Sequence, residues 1–136
     1  MKIAIARRLL AQIIDHAAAD PEKEVCGLLF GDGAEIAAAR PAANVHPDPA
    51  SFFEVDPVAL FAALRGERAG GERLIGHYHS HPRGPAFPSV EDAAAADPSA
   101  DRLWLIVAGG EATCFRAHRG GEIHDCFDRV TLSVHD

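Results

Sequence analysis

The sequence predicts an α/β (α+β) fold, a sheet flanked by helices. Three observations carry this: two stretches repeat apolar residues at helical spacing, short apolar runs closed by Gly, Pro or Asp lie between and after them, and no Rossmann or P-loop glycine pattern appears. In chain order, residues 2–6 (KIAIA) read as a first strand. Leu9, Leu10, Ile13, Ile14 and Ala17 then mark an amphipathic helix over 7–19 that ends at Asp20-Pro21. EVCGLLFG (24–31) is a strand closed by Asp32-Gly33, with a return strand over 35–43 weakened by Pro41, and 44–51 form a loop. Asp56-Pro57 starts a second helix, a capping side chain before proline at the first helical position, with Leu60, Phe61 and Leu64 facing inward and Gly66 at its end.

RLIGHYHS (73–80) is a strand running into Pro82, and 83–88 form an irregular loop. Ser89 opens a short alanine-rich helix that stops at Asp97-Pro98. LWLIVA (103–108), ATCFRA (112–117) and EIHDC (122–126) read as strands joined by Gly-Gly turns, with a last strand over 130–134. There is no internal repeat, and 136 residues make one domain with room for a core, 1–136.

Thirteen basic against 20 acidic residues give a net charge of −7, and no basic cluster exceeds Arg7-Arg8. This argues against nucleic acid or an anionic membrane surface as a partner. Cys26, Cys114 and Cys126 are odd in number and form no CxxC pair, which fits a reducing compartment. Arg7 and Arg8 interrupt the N-terminal apolar residues before a signal sequence develops, and no run approaches the ~20 apolar residues of a membrane helix. The expectation is a soluble cytoplasmic domain.

The chemistry concentrates at His79-Ser80-His81-Pro82, followed by Ser89 and Asp92. Two histidines two apart on a strand share a face, and a carboxylate from the next helix supplies a third ligand. Three protein ligands with one open position is how zinc is held for catalysis, whereas structural zinc has four. His77 lies on the same face, but its Cα would sit ~13 Å from that of His81 along a straight strand, too far to share an ion, so it belongs behind the ligands or at the surface. Ser89 and Asp92 also spell a capping box, S-x-x-D. Ligation by Asp92 would then cost its capping role and free Ser89 to face the site. A water at such a site needs a base, and Glu22, Glu24, Glu54 and Glu91 are the candidates. Cys26, inside an apolar strand, reads as a small buried hydrophobe and not a nucleophile.

PEKEVCGLLFG, GHYHSHP and PSVED together resemble the JAMM (MPN-plus) metalloprotease family: a glutamate before a Cys-Gly strand, then H-S-H-P, seven residues between the second histidine and a serine, and S-x-x-D. The match runs in order along nearly the whole chain, including Phe53 to Asp56. The resemblance implies a cytidine-deaminase-like mixed sheet flanked by helices, one Zn²⁺ per chain on His79, His81 and Asp92, Glu24 as general base, and Ser89 as the donor that positions water or stabilises an oxyanion. The zinc-deaminase signatures themselves are missing. The compact prokaryotic form implies a ubiquitin-like or sulfur-carrier protein with a Gly-Gly tail as substrate. A non-catalytic MPN scaffold and a phage-tail or cell-wall peptidase are the rival readings. His77 departs from the family, whose members often carry tryptophan there.

Overall fold

The computed structural model describes residues 1–136. They form β1 (Lys2–Ala6), α1 (Arg7–Ala19), β2 (Cys26–Gly31), β3 (Glu35–Ala42), α2 (Pro57–Arg68), β4 (Leu74–Ser80), α3 (Val90–Ala95), β5 (Leu103–Ala108), β6 (Glu111–Ala117) and β7 (Phe127–His135). The strands make one mixed sheet in the order β1-β3-β2-β4-β5-β6-β7, and β7 returns to β1 in parallel, closing a barrel. The closing contact between β1 and β3 is short, Ala4 with Glu35 and Ile5 with Ile36.

Side-chain alternation along the strands divides the apolar residues between two faces. One face packs Ile3, Ile5, Leu29, Ile36, Leu105 and Val107 against α1, whose Ile13 is 2 % exposed. Tyr78 fastens that layer, its hydroxyl 2.7 Å from His16 Nδ1 on α1. Residue 27 must be glycine for this, because a Cβ there would collide with the Tyr78 ring and the Arg40 carbonyl oxygen. The opposite face carries two further clusters. Leu28, Phe30 and Leu74 lie under α2, and Trp104, Ile106, Phe115 and Phe127 lie under α3 and its flanking loops. No helix is long and apolar enough to cross a membrane.

Four local expectations are corrected. Phe61, expected to face inward from α2, is exposed, and Leu60, Ala63 and Leu64 make the packed stripe. Residues 122–126 are not a strand: His124 and Asp125 take left-handed backbone angles (φ 52° and 57°), and the segment is a chain of tight turns with one isolated bridge, Ile123 to Phe127. Asp and His tolerate that conformation better than most residues, which is how a run with strand-like composition escapes the sheet. Helix α2 passes through Gly66 to Arg68 because nothing crowds that position, and the left-handed residue that follows the helix is Gly70 (φ +89°). Helix α3 ends at Ala95, with Ala96 already extended, two residues before Asp97-Pro98.

Strands β4 and β5 are parallel, so a crossover must connect them, and α3 lies within it. The carboxyl end of β4 therefore opens directly onto α3. Antiparallel pairing brings the entry to β2 to the same place.

Candidate active site

Register sets the site. Cys26 pairs with His79 across β2 and β4, and the Ser80 N–H donates to the Val25 carbonyl at 3.0 Å, so Glu24 lies beside the residues that leave β4. The Val25 N–H donates to Ser80 Oγ at 2.9 Å and holds the two chain ends together past the last strand pair. A slip of one residue would send His79 to the α1 face.

His79 Nε2 lies 3.1 Å from His81 Nε2 and 3.4 Å from Asp92 Oδ1, and His81 Nε2 lies 3.2 Å from Asp92 Oδ2. Donors around one tetrahedral zinc at ~2.0–2.1 Å are roughly 3.3 Å apart, so these three side chains fit the expected metal. A carboxylate oxygen of Glu24 is within 4.8 Å of the nitrogens of His79 and His81, further out than Asp92. The donor chemistry fits as well. Glu24 and Asp92 are 7 % and 5 % exposed, the only ion pairs of Asp92 are with the two histidines, and Glu24 has none. Two enclosed carboxylates with no Lys or Arg partner leave negative charge for a cation to balance.

These groups perturb one another. Burial pushes the Glu24 carboxyl up to about 7, the Asp92 and Glu91 charges push the same way, and His81 opposes them. Burial would raise Asp92 too, but hydrogen bonds from His79 and His81 reverse that and hold it far below the usual carboxylate range. Burial lowers His79, against the pull of Asp92. For His81 burial also acts downward, but Asp92, the Pro85 carbonyl and Glu24 together raise it. The Cys26 thiol, fully enclosed, is pushed up to about 12.

Capping and facing the histidines coexist at Asp92. The Ser89 N–H donates to Asp92 Oδ2 at 2.9 Å and the Asp92 N–H donates to Ser89 Oγ at 2.9 Å, a complete capping box, while both Asp92 oxygens still meet the imidazoles. A carboxylate has about four lone-pair sites, enough for both duties. Ser89 is thus engaged by the helix start, yet its O–H donates to no protein group. Of the other candidate bases, Glu22 and Glu91 line the cavity that holds Glu24, His81 and Ser89, and Glu54 lines the adjoining one with Glu24 and Asp92.

Sequence reasoning missed what Asn44, in the 44–51 loop, and Phe53, noted only as the start of the Phe53 to Asp56 match, do at the site. Asn44 uses every hydrogen-bonding group: Nδ2 donates to the carbonyls of Glu24 (2.8 Å) and Phe52 (2.9 Å), and Oδ1 accepts from the N–H groups of His46 (3.1 Å) and Glu54 (3.0 Å). With the Glu24 N–H bonded to the Pro49 carbonyl at 2.8 Å, the loop clamps the Glu24 backbone on both sides. The same loop lays the Phe53 ring on His79, centroids 4.2 Å apart and planes 17° apart. Asparagine between strand and loop was the available signal, since its amide serves backbone groups in turns.

Known proteins resemble this chain in sequence and in fold. Residues 6–119 match the family described as prokaryotic homologs of the JAB domain. A desampylase from Haloferax volcanii is 37 % identical over 90 residues, 65 % of this chain and 65 % of its own length. A probable TtuB-protein conjugate cleaving protease from Thermus thermophilus is 39 % identical over 92 residues, 68 % of this chain and 62 % of its own length. The chain thus spans less than two thirds of either relative. Among solved structures, a Desulfitobacterium hafniense protein superposes with a TM-score of 0.81 at 28 % identity, covering 98 % of this chain and 93 % of that one. A JAB1/MPN domain protein from Archaeoglobus fulgidus shares the fold, with a TM-score of 0.60 at 18 % identity and 98 % of each chain covered.

Proposed function

The chain belongs to the JAB/MPN (JAMM) family, in its prokaryotic branch, and from that premise we propose that it is a zinc-dependent peptidase or isopeptidase cutting after the C-terminal Gly-Gly of a ubiquitin-like or sulfur-carrier protein. The observation that carries the reading is the convergence of His79, His81 and Asp92 at 3.1–3.4 Å, with Glu24 set further out and no basic side chain paired to either carboxylate.

His79, His81 and Asp92 would hold the ion. Zinc supplies Lewis acidity, bringing the pKa of a water towards ~7 and polarising the carbonyl to be split. Glu24 takes the water's proton on a carboxylate oxygen and returns it to the leaving amine nitrogen. Burial, which pushes its carboxyl up, suits a group that must take a proton and give it back. The Ser89 O–H donates to the carbonyl oxygen as negative charge builds there. The cavity at Glu24 and His81, also lined by Phe52, Pro82, Arg83 and Gly84, gives an extended tail access to the site. The names of the two relatives support a conjugated protein as substrate.

The test is cleavage, by zinc-loaded protein, of carrier fusions in which the Gly-Gly end is joined to a peptide or a lysine side chain. We expect scission after the last glycine, stopped by a chelator and restored by zinc. A fully loaded protein that leaves every Gly-Gly conjugate intact would sink the substrate reading.

Asp92→Asn separates the two duties of that residue. Asparagine keeps an acceptor for the Ser89 N–H but loses the charge, so the metal-free protein should melt close to wild type. Zinc affinity should fall by more than the ~10–100-fold that outer-shell substitutions cost. Unchanged zinc affinity in this variant would make Asp92 a cap alone.

A further inference from the structure

We propose that His77 is a positioning residue that holds the far nitrogen of His79, an inference that rests on the reading of His79 and His81 as metal ligands. The two imidazoles are braced differently. His81 Nδ1 lies 2.8 Å from the Pro85 carbonyl oxygen. A carbonyl only accepts, so Nδ1 of His81 carries a proton, and when the ring is neutral Nε2 is the nitrogen left with a lone pair for a cation. No carbonyl reaches His79. Its Nδ1 lies 3.1 Å from His77 Nε2, while its own Nε2 faces His81 and Asp92.

An imidazole nitrogen donates or accepts according to where its ring's own proton sits. His77 therefore accepts from His79 Nδ1–H when the Nε2 lone pair is given to a cation. It donates to His79 Nδ1 when Nε2–H is turned towards Asp92 instead. A carbonyl in its place serves only the first arrangement, and an indole N–H only the second. The His77 ring is itself held in orientation, edge-on to Trp104 at 4.4 Å between centroids and tilted against Phe53 at 5.0 Å. Phe53 also covers His79, so both imidazoles are set by one aromatic wall. Partners of this kind fix the tautomer and ring orientation of a ligating histidine.

The experiment compares H77F, which keeps a ring against Trp104 and Phe53 but removes both nitrogens, with H77Q, which restores a group that donates and accepts. Zinc affinity is measured by chelator competition and the melting temperature on metal-free protein. In zinc-loaded protein, ¹⁵N NMR follows the His79 Nδ1–H. We expect H77F to lose ~10–100-fold in zinc affinity with a near-native metal-free melting temperature and a His79 Nδ1–H that exchanges faster with water, and H77Q to recover most of the loss. Wild-type affinity in H77F, or equal losses in H77F and H77Q, would overturn the proposal. If H77F does not fold, H77Q against the similarly sized H77M carries the same comparison. His79→Ala, run alongside, tells the two failures apart: undiminished zinc binding there removes the ligand reading, whereas lost binding there with intact H77F removes only the role of His77.

Discussion

Zinc retention should be abolished when His79 and His81 are both replaced by alanine. Metal analysis of the purified wild-type chain should give about one zinc per molecule, the content expected of a site with three protein ligands and one open position, and the double variant close to none. The size of the effect follows from geometry. Each imidazole stands 3.1–3.4 Å from the other and from Asp92, and removing both leaves one carboxylate as the near ligand. The folded state should survive, because His79 supplies one buried ring in a wall that Phe53 and Trp104 also build, and His81 lies past the end of β4. His77→Ala should still co-purify with zinc at reduced affinity. Complete loss of zinc in that variant alone would move the ligand set two residues inward along β4, to include His77.

The second large effect is on turnover. Glu24→Gln keeps the size and the backbone clamp of the residue but cannot take a proton, so cleavage of a verified Gly-Gly substrate should fall by ~10²–10⁴-fold with zinc content unchanged. The clamp acts on main-chain atoms, the N–H to Pro49 and the carbonyl to Asn44, so the amide side chain should stand where the carboxylate stood. Near-native turnover would shift the base to Glu22, Glu54 or Glu91, all of which line the same two cavities. Loss of zinc would instead make Glu24 a ligand. Because both quantities are read on one sample, the two outcomes separate cleanly.

What could be read in advance was what local periodicity encodes. Helix α1 follows from its apolar stripe, the start of α2 from Asp56-Pro57, and β4 from an alternation that puts His77 and His79 on one face. Closure of the sheet was not legible, because it rests on β1 meeting β3 and β7, pairings between segments far apart in the chain with no local signature. The strand expected at 122–126 failed for the opposite reason: its composition was strand-like, but two left-handed residues turned it. At the site, the histidine spacing and the following carboxylate were visible as a pattern. The pattern could not show that one carboxylate has lone pairs enough to cap a helix and face two imidazoles. Asn44 stayed hidden because its importance lies in which backbone groups it reaches, and only the folded loop reveals them.

Helix α3 is six residues long, and a helix of that length does not persist in water by itself. It is kept by the Ser89–Asp92 box and by Ala93 and Ala96 resting on the Trp104 and Phe115 cluster. With Asp92 among the ligands, this turn cannot fray without giving up the ion's negative ligand. Retention of the metal then depends in part on the backbone: each spontaneous opening of one helical turn, resisted by alanine packing that never touches the ion, loosens the site.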